Sequence, residues 1–393
     1  MANMMDYLRW RGDLSFTRDP FNEVDNLILS HLSYVLFKRE VPGIGNEPRP
    51  LYDVSKRFFM RHTEEELKRS ITFTKDAPFL MQEMAKTVRF GDLLVGNFVD
   101  DVDEANTKQF SALTIGLPDG STYVSYRGTD DNLVSWKEDM NLGMGVVPSE
   151  QDAVSYLNKI GEITEGPLYI GGHSKGGNLA VYAAAYASDE VKNRIVTIFS
   201  NDGPGFLQEI NSSASFVSIK NKVKRYLPSG SVIGMILKHS APPIFLKSSN
   251  KGLMEHDGFS WQVEGTHFVY ADGPENISET FNKSLQSWLD SVDDKQKAAF
   301  IDEIFSLASA GGAKTLTDLQ ENKFKTLFNI AKDADEISDE SRNLMKDFFH
   351  TVIQDFEETL PLHNTLTKLG EDAKAAQHLI KEKAEEIFSS RGE

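Results

Sequence analysis

The segment Gly172-His173-Ser174-Lys175-Gly176 sets a serine between two glycines in the pattern G-x-S-x-G. A short apolar run, 168–171, precedes it, and a run of small residues, 176–187, follows. That context predicts a strand, a sharp turn and a helix. A serine at the tip of such a turn adopts strained backbone and exposes its hydroxyl, while the glycines leave room for the crossing chains. The free N–H groups at the start of the helix face the negative charge that develops when the hydroxyl attacks a carbonyl. The same glycines also fit a turn used only for packing, or one that binds phosphate. The order G-x-x-x-x-G-K-[ST] of a nucleotide-binding loop is missing. With no cysteine in the chain, disulfides, thiolate catalysis and cysteine-held zinc are excluded.

The elements that must position this serine alternate along the middle of the chain. Residues 110–115 and 122–126 are β-rich and flank the turn sequence Leu117-Pro118-Asp119-Gly120, which predicts a hairpin. Helical stretches are expected at 133–142, 151–163 and 176–187, with strands at 168–171, 194–200, 223–227 and 244–247. Strands alternating with helices predict a largely parallel, three-layer α/β sheet. Upstream, residues 22–37 carry Val24, Leu27, Leu29, Leu32, Val35 and Leu36 on a smeared helical face. Thr63 before Glu64, Glu65 and Glu66 reads as an N-cap with first-turn acids, and 42–50, rich in Gly and Pro, as a loop. Beyond Glu275 the texture is helical, with Phe300, Ile304 and Leu307 on one face and Phe348, Val352 and Phe356 on another. The expected organisation is an α/β domain over 1–274 and a C-terminal helical cap or appended bundle over 275–393. These helices suit a lid or acyl-chain groove as well as a packing or dimer surface.

The 393 residues, 40% of them hydrophobic, are enough for a sizeable buried core. A net charge of −17 argues against nucleic acid as a partner, because phosphate binding needs clustered Lys and Arg. The segment 1–12 lacks the apolar stretch of a signal peptide, and no apolar run approaches the ~18 residues needed to cross a bilayer. A soluble cytoplasmic protein is expected.

Two segments together resemble a known group. Tyr123-Val-Ser-Tyr-Arg-Gly-Thr129, followed by Trp136 and Asp139, looks like the F-R-G-T…D-W…D segment of class 3 (fungal-type) lipases, and 172–177 looks like their G-H-S-x-G-G elbow. The stretches 6–13, 201–205 and 255–261 are similar to a bacterial domain-of-unknown-function family of lipase relatives, a branch of the α/β-hydrolases. The resemblance spans about Asp6 to Val269. It implies an α/β-hydrolase three-layer sandwich in which the backbone N–H groups of Thr129 and Lys175 form the oxyanion hole. It also implies an acyl ester, lipid or lysophospholipid substrate and no metal or organic cofactor. Class 3 lipases usually carry an apolar residue at the position of Lys175. The cation here would suit a carboxylate- or phosphate-bearing substrate, or else be solvated or salt-bridged. Arg127 and Asp139 are candidates for a buried ion pair that holds the oxyanion loop.

The chain order in this fold is serine, acid, histidine. His31 and His62 precede the elbow, and His173 lies inside it with its side chain expected to point away. His350, His363 and His378 belong to the C-terminal region. Of the rest, His239 reads as complementing a helix end, and His267 as flanking a strand. His256 sits in a polar, glycine-containing loop after the last strand and is the expected base. The stretch 225–232, where class 3 lipases carry the acid, has no carboxylate. Asp202, at the end of the first strand after the elbow, is the remaining candidate, since parallel strands present sites at their carboxyl ends; it would otherwise cap the turn 203–205. Asp257 is expected to point the wrong way. The resulting expectation is an esterase-like serine hydrolase with Ser174, His256 and Asp202 as its triad. The alternatives are a degraded hydrolase fold serving as a binding or scaffold protein, and a phosphate-binding regulator built on Lys175.

Overall fold

The structure, a computed structural model, describes residues 1–68, 75–130, 132–275, 293, 295–298 and 301–302. Eight strands form one sheet in sequential order: β1 (Arg49–Pro50), β2 (Leu94–Asp103), β3 (Lys108–Gly116), β4 (Thr122–Tyr126), β5 (Leu168–His173), β6 (Ile195–Asn201), β7 (Val223–Pro228) and β8 (Pro243–Leu246). The first four pair antiparallel, and β4 to β8 pair parallel. The predicted hairpin is β3–β4, closed by the Leu117 N–H on the Ser121 carbonyl at 2.8 Å.

Sequential order has a consequence for the layers. Right-handed crossovers that all step in one direction put their helices on one face of the sheet. That face carries α6 (Leu133–Asn141), α7 (Pro148–Ile163), α8 (Lys175–Tyr186), α9 (Asp189–Arg194), α10 (Gln208–Asn211) and α11 (Ala214–Ile219). The other face needs cover from elsewhere, and it comes from the N-terminal segment: α1 (Met4–Arg11), α2 (Glu23–Leu32), α3 (Leu51–Phe59) and α5 (Ala77–Met84). The short α4 (Glu64–Leu67) begins at the Thr63 cap, whose Oγ1 accepts the Glu66 N–H at 3.3 Å.

Strand alternation divides the core accordingly. Leu113, Ile115, Tyr123 and Phe199 pack with Leu27 and Ile28 on the N-terminal side. Ala112, Val124, Ile170 and Ile198 pack with Leu157 and Leu179 on the other. Burying one such aliphatic side chain stabilises by about 1.5–3 kcal/mol, so both layers are integral to the sheet.

The smeared apolar face of α2 has a physical cause. Every residue from Val24 to Leu32 is buried, including Asp25, Asn26, Ser30 and His31. Its polar groups are met by the sheet: Asn26 Nδ2 donates to Asn201 Oδ1 at 2.9 Å, and Ser30 Oγ lies 2.8 Å from Tyr123 Oη. The helix ends at Leu32, although Tyr34, Val35 and Phe37 remain in the core.

Glu275 is still tied to the sheet, its N–H donating to the Ser229 carbonyl at 2.7 Å. Farther on, Ile301 is buried and Asp302 Oδ1 lies 2.8 Å from Lys137 Nζ on α6. The proposed division at 275 and both C-terminal apolar faces fall largely outside the described residues. Among the described residues, no helix is long and apolar enough to cross a membrane.

Candidate active site

Ser174 joins β5 to α8 with φ 59° and ψ −133°, a left-handed backbone that a non-glycine residue adopts only under constraint. Its N–H donates to the Asn201 carbonyl at 2.9 Å, which ties the turn to β6. The flanking glycines are sterically required. A Cβ on Gly172 would collide with the Gly176 backbone and stand 2.6 Å from the Tyr126 carbonyl oxygen; one on Gly176 would collide with that same oxygen. The helix begins at Lys175, one residue earlier than the small-residue run suggests.

The end of β4 passes directly beside this turn. A Cβ on Gly128 would lie 3.1 Å from Ser174 Cβ and would collide with the His173 carbonyl oxygen. Thr129 follows at once, and its Oγ1 donates to Asp139 Oδ2 in a very short hydrogen bond. The Lys175 N–H opens α8 and therefore has no acceptor within the helix.

The Lys175 side chain differs from both solvent and substrate readings. It is fully buried, with Nζ 2.9 Å from Glu138 Oε2, 3.0 Å from the Gln109 carbonyl oxygen and 3.8 Å from Asp139 Oδ1. Glu138 also accepts the N–H groups of Gln109 at 2.9 Å and Ser149 at 3.0 Å. The cation thus clamps the elbow helix to α6, which corrects the idea that it greets an anionic substrate or phosphate. Burial raises the Asp139 carboxyl to about 6, against the lowering effect of Lys175 and Thr129. The expected Arg127–Asp139 pair does not form: Arg127 Nη2 lies 2.6 Å from Asp100 and 3.1 Å from Asp130. Arg127 braces β2 and its own turn instead.

On the opposite side of the elbow, His256 ends the 3-10 turn Gly252–His256. Its Nδ1 lies 2.7 Å from Asp202 Oδ2, so the structure brings together the two residues expected as base and acid. Asp202 is buried at the end of β6 with φ 52°, and its N–H donates to the Tyr226 carbonyl at 2.8 Å. Its other oxygen accepts from Ser231 Oγ, in the loop after β7, and Ser231 Oγ accepts the Gly234 N–H at 3.1 Å. The loop of His256 is pinned on both sides: Trp261 Nε1 donates to the Glu255 carbonyl at 2.9 Å, and Glu255 Oε2 accepts the Gly230 N–H at 2.9 Å. Burial pushes the Glu255 carboxyl up to about 7. Asp257 turns to the Phe259 N–H at 3.0 Å, away from the His256–Asp202 contact.

His173 is turned otherwise than expected. Its ring packs on that of His256 at 4.5 Å between centroids, and its Nε2 lies 2.7 Å from the His256 carbonyl oxygen. His239 is also placed differently, following the bridge Phe206–Lys238 beside Arg225. Burial, and then Arg225, holds it well below the usual imidazole range; a neutral ring complements no helix dipole. His267 is largely exposed in a two-stranded ribbon, 3.9 Å from Glu23.

Three neighbours of the site escape sequence reasoning. Ser231 lies within 225–232, a stretch without a carboxylate, and a serine carries no signal of such a role. Glu138 stands next to Asp139 in the lipase-like segment, and its charge opposite to Lys175 is the one signal that points to it. His173 belongs to the elbow motif, which hides its contact with His256.

The sequence profile of the Mbeg1-like family matches residues 84–306, more than half of the chain. No curated protein matches. Among solved structures, the chain is similar to the one titled the crystal structure of M37 lipase, at 16% identity over 55% of this chain and 70% of that one, with a TM-score of 0.34. The match takes in the elbow, the segment of Thr129, and the loops of Asp202 and His256; the chain belongs to the Mbeg1-like family, a lipase-like branch of the α/β-hydrolases.

Proposed function

We propose that this protein is a serine hydrolase of carboxylic esters that works through an acyl-enzyme. The observation that carries the reading is the 2.7 Å contact of His256 Nδ1 with the buried carboxylate of Asp202, beside a serine held at φ 59°. A carboxylate at Nδ1 fixes that nitrogen as the protonated one and turns Nε2 into the basic position. His256 takes the proton of Ser174 as its Oγ attacks the ester carbonyl. The N–H groups of Thr129 and Lys175 hold the oxyanion, and the protonated His256 then delivers the proton to the departing alcohol. Water, activated by the same imidazole, releases the acid product and restores the serine. Asp202, held on Nδ1, stabilises the imidazolium.

The substrate class, a small or lipid acyl ester, follows from the lipase-like family. A fluorophosphonate probe tests the chemistry. Covalent labelling of the wild type that vanishes in Ser174→Ala, with hydrolysis of p-nitrophenyl butyrate falling by roughly 10⁵-fold, is the expected result. A well-folded wild type that neither labels nor hydrolyses would overturn the reading.

A further inference from the structure

The residue before the proposed nucleophile is hydrogen-bonded to the backbone of the proposed base. His173 Nε2 lies 2.7 Å from the carbonyl oxygen of His256. A carbonyl only accepts, so Nε2 must carry the proton. Burial, with His256 and His31 nearby, holds His173 well below the ordinary imidazole range, and the ring is neutral. Its Nδ1 is then a bare acceptor, and Tyr34 Oη stands 2.9 Å from it and 3.1 Å from the His173 carbonyl oxygen, its one proton shared between the two. The role of Nε2 is fixed by its carbonyl partner. The ring is also wedged between His256 at 4.5 Å and His31 at 4.7 Å between centroids, with Trp261 at 6.1 Å.

We infer that His173 is a positioning residue, a strut whose Nε2–H sets where the backbone of His256 stands relative to Ser174. The inference rests on the proposed hydrolase reading. Ser174 is covalently next to one end of the strut, and the base hangs from the other. Asp202 holds the ring of His256, while the His173 bond holds its backbone and does so directly from β5. A displacement of about 1 Å between reacting groups costs about 100-fold in rate.

A side chain that merely filled space would be replaceable by any group of similar volume. A strut is not. The amide nitrogen of glutamine falls near the place of Nε2, that of asparagine near Nδ1, and leucine offers no donor. His173→Leu is expected to lower kcat on p-nitrophenyl butyrate by about 100-fold with KM within about twofold of wild type. His173→Gln should recover at least about tenfold of that loss, and His173→Asn should not. Wild-type kcat in folded His173→Leu, or equal recovery by Gln and Asn, would overturn the strut. Histidine 15N NMR on the wild type decides the matter independently of activity and of variant folding. A neutral Nε2–H tautomer of His173 between about pH 5 and 8 is expected; an Nδ1–H tautomer or a protonated ring in that range sinks the inference. Absence of labelling and hydrolysis in the wild type, with this tautomer intact, would instead strike the hydrolase reading.

Discussion

The two sides of Ser174 are built on different principles. On the side of Thr129 and Lys175, regular elements meet: the end of β4, the start of α8 and the body of α6, bound by a buried ion pair and by glycines that nothing larger can replace. On the side of His256, three loops meet, after β6, β7 and β8, and single hydrogen bonds among Asp202, Ser231, His173 and His256 join them. The first construction is part of the core, so damage there is expected to appear as lost stability. The second stands in loops at the carboxyl ends of the parallel strands, so damage there is expected to appear as lost rate in a protein that still folds.

Asp202→Asn is the sharpest probe of this contrast. The amide keeps the volume and one acceptor, but it no longer fixes the His256 tautomer or stabilises the imidazolium. A fall of about 10⁴-fold in kcat is expected, with a melting temperature close to wild type. A loss of folding comparable to that of a core variant would erase the distinction between the two sides. On the other side, Glu138→Ala leaves the buried Lys175 with only the more distant Asp139 as counter-charge and should destabilise by about 3 kcal/mol, read by urea unfolding. The double variant Glu138→Leu/Lys175→Met removes both charges but leaves the Gln109 and Ser149 N–H groups without their acceptor, so it should regain only part of that loss. If Glu138→Ala is as stable as wild type, the clamp is not what holds the elbow helix.

The same contrast governs what the sequence makes legible. Strands β3 to β8 follow from local alternation and turn chemistry, and the elbow follows from five consecutive residues. Strand β2 does not, because Asp100, Asp101 and Asp103 crowd its exposed end and a register shift between Gly96 and Val99 breaks the alternation. The covering layer from the N-terminal helices is illegible for another reason: only the sequential strand order shows that crossovers leave that face bare. In the site, chain order points to the contact of His256 with Asp202, whereas the partners of the two cations are not readable. Lys175 is salt-bridged, to Glu138 on α6, and Arg127 meets Asp100 on β2 rather than Asp139.

Acidity sharpens the core side further. Glu150 is buried beneath the elbow helix, where its Oε2 accepts the Val147 N–H at 3.1 Å, and burial pushes its carboxyl up to about 8. The folded state therefore holds this proton more tightly than the unfolded chain, whose carboxyl titrates near its ordinary value of 4.5. The contribution of Glu150 to stability is fully present below the unfolded value and declines as pH rises toward about 8. Glu150→Gln should accordingly raise stability at pH 8 by about 4 kcal/mol and change little at pH 4.5. Chemical unfolding at the two pH values measures the difference, and an equal effect at both would rule out a titrating Glu150.

The smallest effect tests how finely the loop side is adjusted. Ser231 is buried, takes the Gly234 N–H on its oxygen and donates its own O–H to Asp202 Oδ1. Ser231→Ala leaves that carboxylate oxygen short of one donor, while the Nδ1 contact on Oδ2 is untouched. A hydrogen bond to a charged group is worth about 1.5–3 kcal/mol, and only the share that orients the carboxylate reaches the transition state. A fall of roughly tenfold in kcat/KM is expected, carried by kcat, with Ser231→Thr close to wild type. A loss as large as that of Asp202→Asn would mean that Ser231 shares the work of the acid rather than steadying it. No loss at all would mean that β6 alone aims the carboxylate and that the Ser231 hydroxyl contributes nothing to it.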